Sequence, residues 1–189
     1  MRASQFNSLL LRNNGGSFAI EPLPRLAQAG PVCGITAADI DGNGFLDIIG
    51  IGNNYAPRVE YGRDDALSGF VLYNNNGKSF NFSHGTENGF YVDGDAKSLV
   101  WMDMPGKSLC LIATQNNSTA KAFHLSKTKM KFLAAPAKAG KAMVYLKNGG
   151  SRIENLSQGW GYLSAARPGV WMNDQVKSVQ FLDVYGNKL

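Results

Sequence analysis

Cysteine is scarce in this chain, two in 189 residues. Cys33 and Cys110 each sit inside an apolar run, Pro-Val-Cys-Gly-Ile and Leu-Cys-Leu-Ile. That excludes a disulfide-rich scaffold and every zinc-ligand spacing, and predicts two buried free thiols, with one disulfide as the alternative. Histidine is equally rare. His84 and His124 are the only two, so a general-base or Ser-His mechanism would have to use one of them. His84 falls in an expected loop and His124 in an expected strand, where a surface role is the simpler reading. A Gly-x-Ser-x-Gly elbow, a phosphate loop and a Gly-x-Gly-x-x-Gly fingerprint are all missing. No run approaches the roughly 18 to 20 apolar residues of a membrane-spanning helix. Met1-Arg-Ala-Ser-Gln-Phe-Asn lacks the basic head and apolar stretch of a signal peptide. No segment sustains the 3.6-residue apolar period of a long helix.

What is present is short apolar runs punctuated by Gly, Asn, Ser and Asp, in a chain that is 44% apolar and therefore able to build a packed core. This pattern predicts an all-β protein. Strands are expected at 8–12, 32–37, 47–51, 69–73, 98–102, 108–114, 120–125, 142–147 and 176–184. Asn14-Gly15-Gly16, Asn76-Gly77 and Asn148-Gly149-Gly150 serve as turns between them. The net charge of +5 is uneven. Residues 1–94 hold 6 Lys/Arg against 9 Asp/Glu, net −3, and residues 95–189 hold 13 against 5, net +8. A basic half that includes Lys127, Lys129 and Lys131 raises the question of a polyanion such as nucleic acid or an acidic glycan. Scattered lysines are more simply a solvated face, so nucleic acid is not the expected partner.

The chain repeats itself at about sixty residues. Leu9-Leu-Leu-Arg-Asn-Asn-Gly-Gly-Ser-Phe matches Val71-Leu-Tyr-Asn-Asn-Asn-Gly-Lys-Ser-Phe. Ile35…Asp47-Ile-Ile-Gly-Ile-Gly-Asn-Asn then matches Ser98…Cys110-Leu-Ile-Ala-Thr-Gln-Asn-Asn. Each unit holds a Gly-turned hairpin, a strand, a loop and a second strand, the content of a four-stranded propeller blade. The loop differs between copies. Asp39-Ile-Asp-Gly-Asn-Gly-Phe-Leu-Asp in the first becomes Asp103-Met-Pro-Gly-Lys in the second, so the carboxylates are not needed to build the strands. From about Ala134 the repeat ends in a small-residue linker, Ala-Ala-Pro-Ala-Lys-Ala-Gly-Lys-Ala, and a separate β unit follows.

In the acidic loop, residues 39, 41, 43 and 47 carry side-chain oxygens, and Gly42 and Gly44 let the backbone curl so that these converge. Oxygen-only ligands in a tight loop suit Ca²⁺, which takes six to eight of them. Mg²⁺ prefers a stricter octahedron, and transition metals prefer His or Cys. An EF-hand begins in the same way, but its twelfth position would be Gly50 instead of Glu, and Ile48-Ile-Gly-Ile-Gly is β-like where a helix is required. An unliganded Asx turn is the plain alternative, yet three mutually repelling carboxylates need a cation to offset them.

Asp39-Ile-Asp-Gly-Asn-Gly-Phe-Leu-Asp-Ile-Ile resembles the calcium loop of FG-GAP/VCBS repeats, the blades of integrin-α-type β-propellers. The resemblance implies Ca²⁺ held by Asp39, Asp41, Asn43, the carbonyl of Phe45, and Asp47. It also implies a second blade without calcium. Ala142-Met-Val-Tyr-Leu, Gly159-Trp-Gly-Tyr-Leu-Ser-Ala-Ala-Arg-Pro and Val176-Lys-Ser-Val-Gln-Phe-Leu-Asp-Val-Tyr-Gly-Asn resemble the UnbV/ASPIC domain that follows such propellers. Ala165 and Asp183-Val-Tyr-Gly depart from that family's usual residues.

The expected architecture is thus about two propeller blades over 1–133, then a small β-sandwich- or barrel-like unit over 134–189. Such propellers close with seven blades, which implies that further blades come from a longer chain. The expected function is a non-enzymatic calcium-binding module for a protein or carbohydrate ligand, in adhesion at the cell surface, in the periplasm or secreted. The alternatives are an accessory part of a glycan-acting enzyme and a polyanion- or RNA-binding domain. Asp64 and Asp65 with Glu60 or Glu87 are the only carboxylates that suggest a glycosidase pair. Trp101, Trp160, Tyr162 and Trp171 are the candidate stacking aromatics, with packing as their simpler role.

Overall fold

The computed structural model describes residues 5–57, 60, 62–102, 109–125, 129–157 and 167–189. Asp103 to Lys107, Lys127, Trp160 and Tyr162 lie outside the described residues, as does most of the Gly159–Pro168 stretch on which the tail resemblance partly rests. The protein is all-β, with 49% of residues in strand against 5% in helix, and among the described residues its antiparallel sheets are small and do not close into a barrel.

Nine runs expected as strands form them. They are β1 (Leu9–Asn13), β3 (Val32–Ala38), β4 (Asp47–Gly52), β5 (Phe70–Asn75), β7 (Ala96–Met102), β8 (Cys110–Gln115), β9 (Lys121–His124), β11 (Lys141–Leu146) and β14 (Val176–Leu182). Five more were not expected: β2 (Phe18–Pro22), β6 (Ser79–Ser83), β10 (Lys131–Ala134), β12 (Ser151–Asn155) and β13 (Gly169–Met172). Three of these five are the return strands of the predicted turns, since β1 pairs with β2, β5 with β6 and β11 with β12. They alternate exposed and half-buried residues and carry little continuous apolar sequence. The short helix α1 (Gly85–Asn88) and a 3-10 turn at Arg25–Gln28 complete the elements.

The central sheet is a four-stranded meander in the order β3-β4-β5-β6, followed by a three-stranded sheet β7-β8-β9. Along β4 and β5 the side chains alternate between faces, as pleating requires. Ile49, Ile51 and Val71 meet Leu99, Leu111, Phe90 and Val92 in the core that joins the two sheets. Ile48, Phe70 and Leu72 fill a second core with Leu23, Ala27, Leu67, Phe80 and Phe82. The central sheet is therefore buried on both faces.

Paired strands of the two sheets share irregularities. The β3/β4 register shifts between Val32 and Gly34, and the β7/β8 register between Ala96 and Ser98, sixty-four positions on. Asn53 N–H donates to the Pro31 carbonyl, and Asn116 N–H to the Asp95 carbonyl. The sequence unit and the sheet are out of phase, however. The β5–β6 hairpin, which opens the second sequence copy, completes the sheet begun by β3 and β4 of the first copy.

The C-terminal unit contains β12-β11-β14 and a separate β10-β13 pair, around a core of Ala142, Val144, Leu146 and Val170. β10 pairs with β13, so residues 131–134, which straddle the expected boundary at 134, are hydrogen-bonded to 169–172. Trp171 on β13 packs on Phe132, with ring centroids 4.7 Å apart, and reaches Trp101 on β7 at 6.3 Å. Both described tryptophans are thus packing residues at the seam between units.

Candidate metal site

The β3–β4 loop gathers the three carboxylates that the sequence singled out. Asp39, Asp41 and Asp47 each bring a carboxylate oxygen within 4.8 Å of the others. Asp39 and Asp47 are buried and Asp41 is exposed. The loop closes on its own acidic groups. Gly42 N–H and Gly44 N–H donate to the two Asp39 oxygens at 2.9 Å each, and both glycines hold a positive φ, 81° and 94°, which residues with a Cβ rarely adopt. Asn43 donates to Asp41 Oδ2 and to the Asn74 carbonyl, while its Oδ1 accepts from Phe45 N–H. Asp47 Oδ2 accepts from Ile40 N–H and Oδ1 from Asn74 N–H, at 2.9 and 2.8 Å.

Asn74 pins this loop from the neighbouring strand. Its side-chain amide donates to the Leu46 carbonyl, and its Oδ1 accepts from Gly77 N–H in the β5–β6 turn. The Phe45 ring covers that turn, 3.4 Å from where a Cβ on Gly77 would lie. The C-terminal unit closes the other side. Asn173 Nδ2 donates to Asp39 Oδ2 at 2.7 Å and to the Asp39 carbonyl at 3.1 Å, and Arg152 Nη1 donates to the Gly44 carbonyl at 3.1 Å. Sequence reasoning missed Asn74, Asn173 and Arg152. Their partners lie 28, 134 and 108 positions away, and no local motif encodes such pairings.

Burial, helped by neighbouring charge, leaves an electrostatic signature. Burial pushes the Asp47 carboxyl up to about 6, assisted by the Asp41 and Asp39 charges and opposed by the N–H groups of Asn74 and Ile40. Burial also raises Asp41, with the Asp39 charge adding to it. None of the four ion pairs among the described residues involves these three carboxylates. A site of oxygen donors in which Asp47 and Asp41 are raised mainly by burial, with no Lys or Arg paired to it among the described residues, fits a hard cation.

Among the described residues, the other candidates are not brought into one constellation. His84 precedes α1, where Glu87 accepts from His84 N–H and Ser83 Oγ, so Glu87 organises a helix start. His124 ends β9. Asp64 lies in an exposed stretch, bridged through its backbone to Asn54, and Asp65 beside it is exposed. Cys33 and Cys110 are free, Cys110 buried and Cys33 half-buried. Against known proteins, the chain matches no family model and no curated protein.

Proposed function

We propose that this protein is a non-enzymatic calcium-binding β-module, in which Ca²⁺ rigidifies the β3–β4 loop of a propeller-type blade and the assembled surface binds a protein or carbohydrate partner. The single observation that carries the reading is the convergence of the Asp39, Asp41 and Asp47 oxygens within 4.8 Å in a glycine-curled loop without a cationic side chain paired to them among the described residues. Asn43 and the Phe45 carbonyl complete the proposed ligand set. The meander β3-β4-β5-β6, packed on both faces, supports the blade assignment, and the loop's likeness to FG-GAP/VCBS repeats supports calcium over magnesium. By the same likeness, the setting is extracytoplasmic, at the cell surface, in the periplasm or secreted. By its own sequence likeness, the β12-β11-β14 sheet is assigned to the UnbV/ASPIC-like tail.

The test is calorimetric titration with Ca²⁺ after chelation, together with thermal unfolding. Binding heat and a raised melting temperature are expected in the wild type, and both should vanish in Asp41→Ala, whose side chain is exposed and dispensable for packing. An unchanged melting temperature in the wild type sinks the calcium assignment. An equal response to Mg²⁺ would replace it with a less selective divalent site.

A further inference from the structure

The acidic loop faces the C-terminal unit at three points. Asn173, directly after β13, donates from one amide nitrogen to both the side chain and the backbone of Asp39. It is 8% exposed, and its own Oδ1 is held by Gln175 N–H, so the amide is oriented with its donor end on the carboxylate. Arg152 on β12 donates to the Gly44 carbonyl while its Nε holds Glu154 at 2.8 Å. The β11–β12 turn packs on Gly44, where an added Cβ would lie 3.6 Å from Leu146. A buried hydrogen bond to a carboxylate is strong when formed and costly to leave unmade. The loop conformation that presents Asp39 and the position of the C-terminal unit therefore depend on each other, and any ligand that fixes one biases the other.

We propose that Asn173 makes the C-terminal unit a cation-dependent latch: Ca²⁺ in the β3–β4 loop and docking of β13 against β7 are one coupled equilibrium, with Asn173 as the positioning residue that links them. The proposal rests on the calcium reading above and adds its regulation. Without the ion, repulsion among Asp39, Asp41 and Asp47 opposes the loop geometry that Asn173 grips. With the ion, that geometry is held and the latch closes. The seam carries its own reporter, because Trp171 and Trp101 face each other across it at 6.3 Å and Trp101 Nε1 donates to Thr36 Oγ1 on β3 at 3.0 Å.

The experiment is a Ca²⁺ titration of the full chain after chelation, read in parallel by heat and by tryptophan fluorescence, with Trp101→Phe identifying the seam signal. In the wild type the two readouts should saturate together. Asn173→Ala should weaken Ca²⁺ binding by roughly tenfold, the range found when a residue supporting a metal ligand is removed, and should uncouple the fluorescence from the heat. Asn173→Asp keeps the shape but replaces the donor with a fourth carboxylate. It should give the undocked fluorescence in chelator and recover the docked signal when Ca²⁺ is added, a reversal that a purely structural role would not produce. Binding heat with a flat seam signal in the wild type overturns the latch and leaves the calcium site standing. So does an Asn173→Ala protein with wild-type affinity and fluorescence. No binding heat in the wild type overturns both.

Discussion

Two hairpins in this protein come from similar sequence and differ in nearly everything that follows from it. In β5–β6, Asn74 Oδ1 accepts from Gly77 N–H; in β1–β2, Asn13 Oδ1 accepts from Gly15 N–H. Two residues before each of these asparagines, Leu72 and Phe82 sit opposite each other in one hairpin, and Leu11 and Ile20 in the other. Leu72 is fully buried, whereas Leu11, Ile20 and Phe18 are 57%, 61% and 63% exposed. β5 is paired by β4, while β1 pairs only with β2 among the described residues. Sequence likeness therefore does not fix the turn itself, since the asparagine caps three residues on in one hairpin and two residues on in the other. Whether the hairpin enters a core is decided by the strand beside it.

The most forceful test of this contrast is a pair of truncations. Leu72→Ala should cost about 2–5 kcal/mol, as for a fully buried leucine, and Leu11→Ala within about 0.5 kcal/mol, as for a surface change. Chemical denaturation midpoints decide it. Equal losses would mean that the first hairpin is packed in solution.

A second pair separates β4 from β8. Gly50 on β4 lies opposite Phe70, and an added Cβ would come 2.2 Å from the ring. The matching position on β8 is Ala113, fully buried opposite Lys121. Gly50→Ala should cost about 1–3 kcal/mol by overpacking, and Ala113→Gly about 0.5–1 kcal/mol through backbone freedom. Comparable effects on both strands would show that the Phe70 ring yields without strain.

Next in size is the cap itself. Asn74→Ala loses the Gly77 bond and also the bond to the Leu46 carbonyl that holds the acidic loop, at about 1–2 kcal/mol. Asn13→Ala loses only an exposed turn bond and should cost less than half of that. Under the calcium reading, Asn74→Ala also weakens Ca²⁺ binding and Asn13→Ala leaves it unchanged, which titration calorimetry measures directly.

These comparisons show how much was legible in the residues. Strands with continuous apolar runs, such as Ile48-Ile-Gly-Ile and Cys110-Leu-Ile-Ala, declare themselves because both faces are buried. β6 and β12 did not, since a strand with alternate residues in solvent and polar residues such as Asn81 or Arg152 has little apolar sequence to detect. The carboxylates of the candidate site were legible because the loop is local and its glycines dictate the curl. Asn173 was not, because nothing near residue 173 indicates that its partner is residue 39. The phase of the sheets, with one sheet built from parts of two sequence copies, was also hidden, since similarity finds what repeats and not what pairs.

A pH-dependent effect concerns the first residue of the compared strands, buried Asp47 in β4 against buried Cys110 in β8. The folded Asp47 carboxyl titrates at about 6, above the roughly 3.9 of an unfolded aspartate. Below pH ~4 both states are protonated and its contribution to stability is fully present. As pH rises from about 4 to 6 the unfolded state ionises first, binds fewer protons than the folded one, and stability falls. The N–H bonds that both Asp47 oxygens accept favour the charged form and already oppose this upward shift of the carboxyl, an opposition that burial outweighs. Asp93, Asp95 and Asp183 are shifted the other way, held low by hydrogen bonds against the opposing effect of burial, so they lose stability only as the medium becomes more acidic. The Asp47 contribution is isolated by the difference between wild type and Asp47→Asn. In chelator, the wild-type melting temperature should drop between pH 4 and 6 relative to that of the variant. Added Ca²⁺ should remove the drop, because a bound cation favours the ionised form over the same interval. A difference that is flat with pH in chelator would show that Asp47 ionises without penalty. In that case the loop would not be storing the repulsion that a cation is needed to offset.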